Sequence, residues 1–306
     1  MAYKLDILPL TEENSQKREK WIIENPKGYI VLVHGICHGA WCWENFIDFF
    51  AAQGYQCYAV SLRGHGNSKG RAKLNSFTLS DYVEDVKTVV DMCAAKPFLV
   101  GHSMGGAVVQ QYIGKYSDTV QGAVLFAPAT APRMTRWDVV PKNRNLFFAT
   151  MIALGWKSLF SKEFLTQRAA FFTGTDQNGK KVQRVKNTSD YAKLLHSESK
   201  EIVGGLIKAG DLIKADYSDN YSIDIPVFVI GSDADQYFPP KSLRQTATAY
   251  AHNGKTALKI LNHLCHDMML DDYEPGAWKA SAEPVLAFIE DPVSFVNDPK
   301  NHWPRK

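Results

Sequence analysis

The stretch LVGHSMGGAVVQQY, residues 99–112, sets one small polar residue, Ser103, in an apolar segment with Gly101 before it and Gly105 and Gly106 after it. KPFLVGHS (96–103) has the continuous apolar run of a strand buried on both faces. MGGAVVQQYIGKY (104–116) then has helical spacing. A serine at such a strand-to-helix turn is either part of a close-packed junction or the projecting residue of a strained elbow. Gly-x-Ser-x-Gly alone does not decide, because at about 7% usage of each residue it arises by chance in roughly one chain in ten of this length. The flanking sequence does.

Working outward, GYIVLVHG (28–35), YQCYAVSLRGHG (55–66) and VQGAVLFAPA (120–129) read as further strands. WENFIDFFAAQGY (43–55) and TLSDYVEDVKTVVDMCAA (78–95) read as helices, the second with Val83, Val86, Val89, Val90 and Cys93 on one face. Strands alternating with helices predict a mostly parallel, doubly wound α/β sheet. The alternation resumes at IPVFVIGSD (225–233), with a helix near 240–252, a strand at 256–262 and a last helix at 276–291. Between the two blocks, residues 130–222 show no convincing buried strand, only helical pieces and the loop GTDQNGKK (174–181). An excursion of that length is too long for a loop. The expected organisation is a core of 1–129 and 223–306 with an inserted helical lid at 130–222.

Bulk properties narrow the function. The 306 residues carry a net charge of +3, with 45% hydrophobic and 22% charged residues and no long run of like charge, which argues against nucleic acid as a partner. No apolar segment is long enough for a transmembrane helix, and MAYKLDILPL lacks a secretory apolar core, so the expected location is cytoplasmic. The five cysteines form no CxxC pair and leave an odd one over, which favours reduced thiols. No residue cluster calls for a metal or an organic cofactor.

On the elbow reading, Ser103 stands at the C-terminal edge of the sheet beside a helix N-terminus, where free N–H groups favour a developing oxyanion. A serine hydroxyl needs a base and an orienting acid, which follow later in the chain on this architecture. The acid candidates after the strand at 225–233 are Asp235, four residues before Pro239, and Asp233, and the resemblance described below favours Asp235. The base candidates are His266, which leads into DMML, and His263, closer to the strand and read as structural. Met104 N–H, directly after the serine, and Ile36 N–H, in the loop after the first parallel strand, are placed as oxyanion donors. His34 reads as a brace for that loop, while Trp41, Trp43 and His102 shape the pocket or the core.

Taken together, LVHG, LRGHGNS, GHSMGG and the late Asp and His resemble the α/β-hydrolase fold over nearly the whole chain outside 130–222. HGICHGAWCW is similar to the corresponding loop of the plant methylesterase and hydroxynitrile-lyase group, and GHSMGG to monoacylglycerol lipases and bacterial esterases. The resemblance implies a serine hydrolase with triad Ser103, Asp235 and His266 and oxyanion donors Ile36 and Met104. Hydroxynitrile lyases of that group carry threonine where this chain has Gly35 and lysine where it has Asp267, so lyase activity is not expected.

The expected reaction is hydrolysis of a small-molecule carboxylic ester through an acyl-enzyme, on medium-chain or aromatic esters or monoacylglycerols. Carbon–carbon bond hydrolysis, lactone hydrolysis or cofactor-free perhydrolysis with the same triad is the alternative, and a non-catalytic receptor the least favoured reading. Residues 130–222 hold 15 lysines and arginines against 9 aspartates and glutamates. That balance is either a solvated surface or, through Arg133, Arg136 and Arg144, a means of steering anionic substrates or a lipid surface. Cys37 and Cys265 neighbour proposed site residues and are either reactive with thiol reagents or simply small and buried. Oligomeric state is not legible.

Overall fold

The computed structural model describes residues 3–12, 15–129, 171–202 and 223–302. Seven strands form one sheet: β1 (Asp6–Leu8), β2 (Tyr29–Val33), β3 (Gln56–Ser61), β4 (Phe98–His102), β5 (Gly122–Phe126), β8 (Val227–Ser232) and β9 (Thr256–Leu261). Their order is β1-β3-β2-β4-β5-β8-β9. Every pairing is parallel except that of β1 with β3. This is the doubly wound sheet that the alternation predicts, with an antiparallel edge strand added.

The apolar runs form central strands because successive residues enter two different cores. Ile30, Leu32, Val100, Phe126, Phe228 and Ile230 pack on one face. Val31, Val33, Leu99, Leu125, Val227 and Val229 pack on the other. Helices α2 (Glu44–Ala52) and α7 (Lys279–Glu290) cover the first face, through Phe46, Phe50, Val285 and Phe288. Helices α3 (Leu79–Val90), α4 (Met104–Tyr116) and α6 (Pro240–Tyr250) cover the second. The apolar stripe of α3 is buried as its spacing requires, and a Thr78–Asp81 capping box starts the helix.

Strand order reverses at β2, which has β3 on one side and β4 on the other. A crevice opens at the carboxyl ends of strands at such a switch point. The loop after β2 and the turn after β4 both lie there, because Val33 pairs with Gly101.

Of the expected lid, residues 130–170 and 203–222 lie outside the described residues, and with them Arg133, Arg136 and Arg144. Residues 171–202 form a two-stranded hairpin, β6 (Thr173–Thr175) and β7 (Lys181–Gln183), followed by helix α5 (Thr188–Leu194). The stretch 174–181, read as a loop, is therefore most of a hairpin. Its strands are too short for a periodicity to show. Phe171, Phe172, Val185 and Leu195 are buried in the core of the α2 face, so this part of the stretch packs down on the sheet. Short helices α1 (Gln16–Trp21) and α8 (Pro292–Asn297) complete the described residues.

Candidate active site

Ser103 occupies the turn between β4 and α4 with φ 53° and ψ −116°, a conformation a side-chain-bearing residue adopts only when its surroundings impose it. Those surroundings are explicit. Ser103 N–H donates to Phe126 O (3.0 Å), and Ser103 O accepts from Gly106 N–H (2.9 Å) and Ala129 N–H (2.8 Å). A Cβ on Gly101 would lie 2.3 Å from Gly105 O, and one on Gly105 would lie 2.4 Å from Val33 O. Both readings of the glycines therefore hold at once: they pack backbone against backbone, and that packing holds the serine in its strained turn.

The loop after β9 brings His266 to the same edge. His266 Nδ1 is 2.8 Å from Asp235 Oδ2, and both side chains are buried. The other oxygen, Asp235 Oδ1, accepts from Tyr237 N–H (2.7 Å) and Phe238 N–H (3.1 Å), which fixes the carboxylate plane. His102 Nε2–H donates to His266 O (3.2 Å) and ties this loop to the elbow. Phe171, Tyr237 and Phe238 ring the His266 imidazole. The alternatives lie elsewhere: Asp233 is exposed and accepts from His263 N–H (2.8 Å), while His263 Nδ1 meets Thr175 Oγ1 (3.0 Å). Asp233 and His263 tie strand ends to the hairpin.

The loop after β2 carries Ile36 and abuts the elbow, since a Cβ on Gly35 would lie 2.7 Å from His102 Nδ1 and 3.1 Å from Ser103 Cβ. A threonine here would have to displace His102. His34 Nδ1–H donates to Gly35 O (2.7 Å), and its Nε2 accepts from Leu62 N–H (3.0 Å). Burial, reinforced by nearby His65, holds its pKa well below the usual range, so His34 is a neutral brace. It anchors the carbonyl of the peptide that carries Ile36 N–H. Among the described residues, neither Ile36 N–H nor Met104 N–H has an acceptor.

Two buried pairs escaped the sequence reading. His38 Nε2 lies 2.9 Å from Asp267 Oδ2 and His38 Nδ1 lies 2.6 Å from Ile36 O. Both ring nitrogens face acceptors, so the ring donates from both. Burial opposes that charge, but the Asp267 carboxylate and the Ile36 carbonyl outweigh it and raise the His38 pKa. On the other side of the loop, His65 Nε2 lies 2.9 Å from Glu198 Oε2. Asp267, expected only as a departure from a lysine, is thus a buried partner of His38. Cys37 and Cys265 are fully buried, and burial pushes both thiols well up.

One group of described residues has the spacing of a metal site: ligand atoms of His102, His266 and Asp267 lie within 4.8 Å of one another. His266 Nδ1 faces Asp235, Asp267 Oδ2 faces His38 and His102 Nε2 faces a carbonyl, while Asp267 Oδ1 and His102 Nδ1 are buried without a hydrogen-bond partner among the described residues. Burial, then the neighbouring His266, lowers the His102 pKa well below its usual value and keeps that ring neutral.

A parallel doubly wound sheet with a serine elbow after β4, an acid after β8 and a histidine after β9 is the α/β-hydrolase fold. The profile of the family described as Serine aminopeptidase, S33 matches residues 24–273, and the chain belongs to that family. It is 36% identical over 110 residues to the monoacylglycerol lipase of Mycolicibacterium smegmatis, covering 34% of this chain and 39% of that protein. It is also 36% identical over 106 residues to methyl jasmonate esterase 1 of Vitis vinifera, covering 34% of this chain and 40% of the relative. The matched part thus spans about two fifths of these relatives' lengths. The crystal structure of Paleococcus ferrophilus monoacylglycerol lipase superposes with a TM-score of 0.61 at 19% identity, over 96% of this chain and all of that one. No helix among the described residues is long and apolar enough to cross a membrane.

Proposed function

We propose that this chain is a carboxylic ester hydrolase that works through an acyl-serine, with Ser103 as nucleophile, His266 as base and Asp235 as its orienting acid. The observation that carries the reading is the 2.8 Å contact of buried His266 Nδ1 with Asp235 Oδ2, at the sheet edge where Ser103 is held in a strained elbow. Asp235 fixes the proton of His266 on Nδ1, which leaves Nε2 as an acceptor. His266 takes the hydroxyl proton as Ser103 Oγ attacks the ester carbonyl, and the new oxyanion rests on Ile36 N–H and Met104 N–H. It then gives that proton to the leaving alkoxide as the tetrahedral intermediate collapses. Water, activated by His266 in turn, attacks the acyl-serine and releases the acid.

The rings around His266 suit an apolar acyl or aromatic group, which supports medium-chain or aromatic esters or monoacylglycerols as substrates. The names of the monoacylglycerol lipase and methyl jasmonate esterase relatives agree with that range. The described part of the inserted stretch, residues 171–202, supplies Phe171 against His266, which supports reading that stretch as a cap. All five cysteines are free, in keeping with a cytoplasmic setting. The test is turnover of p-nitrophenyl esters from acetate to palmitate, beside Ser103→Ala and fluorophosphonate labelling. Turnover and labelling that both vanish in the variant support the reading; an unlabelled, inactive wild type overturns it.

A further inference from the structure

Cys37, next to the proposed oxyanion donor, is a side-chain-bearing residue with φ 65°, in the left-handed region. Such a residue stays there only when something holds it. Both polar backbone groups of Cys37 are held by one short stretch of the inserted region. Cys37 O accepts from His196 N–H (2.8 Å), and Cys37 N–H donates to Glu198 Oε2 (3.3 Å).

Glu198 has no freedom to do otherwise. Its side chain is fully enclosed. Oε2 also faces His65 Nε2 (2.9 Å), while Oε1 accepts from Tyr82 O–H (2.7 Å) and Ser199 N–H (2.8 Å). Ser199 O–H donates to Phe77 O (2.7 Å), which pins the stretch to the core beside α3. Four donors on two oxygens hold the carboxylate in place and stabilise its charge.

The three carbonyls of residues 35–37 and the Cys37 N–H are all engaged. Gly35 O is taken by His34 and by His38 N–H, Ile36 O by His38 Nδ1, Cys37 O by His196 and Cys37 N–H by Glu198. Ile36 N–H has no acceptor among the described residues.

We propose that Glu198, helped by His196 N–H, is a positioning residue that aims Ile36 N–H at the oxyanion by clamping Cys37. The oxyanion site is then completed by the inserted region, and 195–199 couples that region to the rate of the chemical step. The inference rests on the ester-hydrolase reading above.

The test uses the full chain with Glu198→Gln and Glu198→Ala, each assayed per site titrated with a fluorophosphonate. Loss of one oxyanion donor costs about 100- to 1000-fold in kcat, so a displaced donor should cost less. The expected losses are about 10-fold in kcat for Gln and about 100-fold for Ala, with KM within about threefold. Affinity for a trifluoromethyl ketone, which mimics the tetrahedral oxyanion, should fall by the same factor as kcat/KM. A merely structural glutamate would lower the number of titratable sites but not the rate per site. If Ala fails to fold, the near-isosteric Gln variant carries the test. Either folded variant with kcat per site and ketone affinity within twofold of wild type overturns the clamp alone. A wild type that neither turns over esters nor reacts with the phosphonate overturns the hydrolase reading and the clamp with it.

Discussion

Asp235→Asn is the change whose consequence the geometry fixes most closely. The asparagine keeps the shape of the carboxylate but can be placed two ways. With its oxygen in the Oδ1 position it still accepts from Tyr237 N–H and Phe238 N–H, now 2.7 and 3.1 Å away, and its NH2 replaces the oxygen that meets His266. The reverse placement sets NH2 against two N–H donors. Two bonds at about 1 kcal/mol each favour the first placement by about 2 kcal/mol, roughly 30-fold. His266 Nδ1 must then accept, so the ring proton moves to Nε2 and the ring no longer has a lone pair for the serine proton. Holding the wrong tautomer costs such a triad about 10⁴ in kcat, or about 5.5 kcal/mol of transition-state stabilisation. The assay is kcat/KM on a p-nitrophenyl ester, with circular dichroism and a thermal melt to show an intact fold. A folded Asp235→Asn within tenfold of wild type refutes the reasoning. Asp233→Asn should leave the rate within a few-fold, and its collapse instead would make Asp233 the acid.

Gly105→Ala should destabilise by about 3 kcal/mol or more, read as a melting temperature lower by several degrees, because the new methyl meets the Val33 carbonyl at 2.4 Å and backbone cannot step aside. Glu198 has a depressed pKa: burial opposes its charge, but His65, Ser199 N–H and Tyr82 overcome it. Its contribution to stability is therefore present above the ordinary carboxyl value and lost as pH falls through the folded one. The stability gap between wild type and Glu198→Gln, measured by denaturant melts, should narrow below about pH 4.5. His38 has a raised pKa, so its contribution is full below about pH 6.5 and lost as pH rises through the folded value; the deficit of His38→Gln should shrink on the alkaline side. Iodoacetamide at pH 8 should leave Cys37 and Cys265 unmodified in the folded protein and ester turnover unchanged, because both thiols are enclosed and their pKa values pushed up.

The central strands could be read from sequence because burial on both faces leaves an uninterrupted apolar run. Strand β1 could not. Three residues carry no period, and this strand is held partly by side chains, with Asp6 Oδ2 accepting from Ser61 O–H at 2.8 Å and Asp6 N–H donating to Ser68 Oγ at 2.7 Å. The hairpin of β6 and β7 was lost for the same reason of length. At the site, the glycine spacing and the order of Ser, Asp and His were visible in the chain. The pairs Asp267 with His38 and Glu198 with His65 were not, since their members are 229 and 133 residues apart and neither sits in a recognisable spacing. Only the crossing of loops at the strand ends brings them together.

Four buried carboxylate–imidazole pairs crowd this edge among the described residues, the longest being His102 Nε2 with Asp267 Oδ1 at 3.6 Å, so proximity of an acid to a histidine does not by itself select the base. The bonds at the other ring nitrogen do. His38 spends its second nitrogen on Ile36 O and His65 turns its own toward Arg63 O (3.3 Å), while His34 uses both nitrogens on backbone. A ring engaged at both ends can hold a loop but cannot take up a proton without breaking a bond. His266 has Asp235 on Nδ1 and no partner for Nε2 among the described residues. The engaged rings brace the loop that carries Ile36. His102 also keeps a free nitrogen among the described residues, Nδ1, but its Nε2 meets His266 O and lies 3.6 Å from the nearest carboxylate oxygen, Asp267 Oδ1. Among these rings His266 alone joins a carboxylate hydrogen bond on one nitrogen to a free second nitrogen, which supports it as the proposed base. Because one peptide, Gly35–Ile36, is braced by His34 at its carbonyl and flanked by the His38 and Glu198 bonds beyond it, rigidity of the proposed oxyanion site and freedom of the proposed base follow from the same allocation of hydrogen bonds.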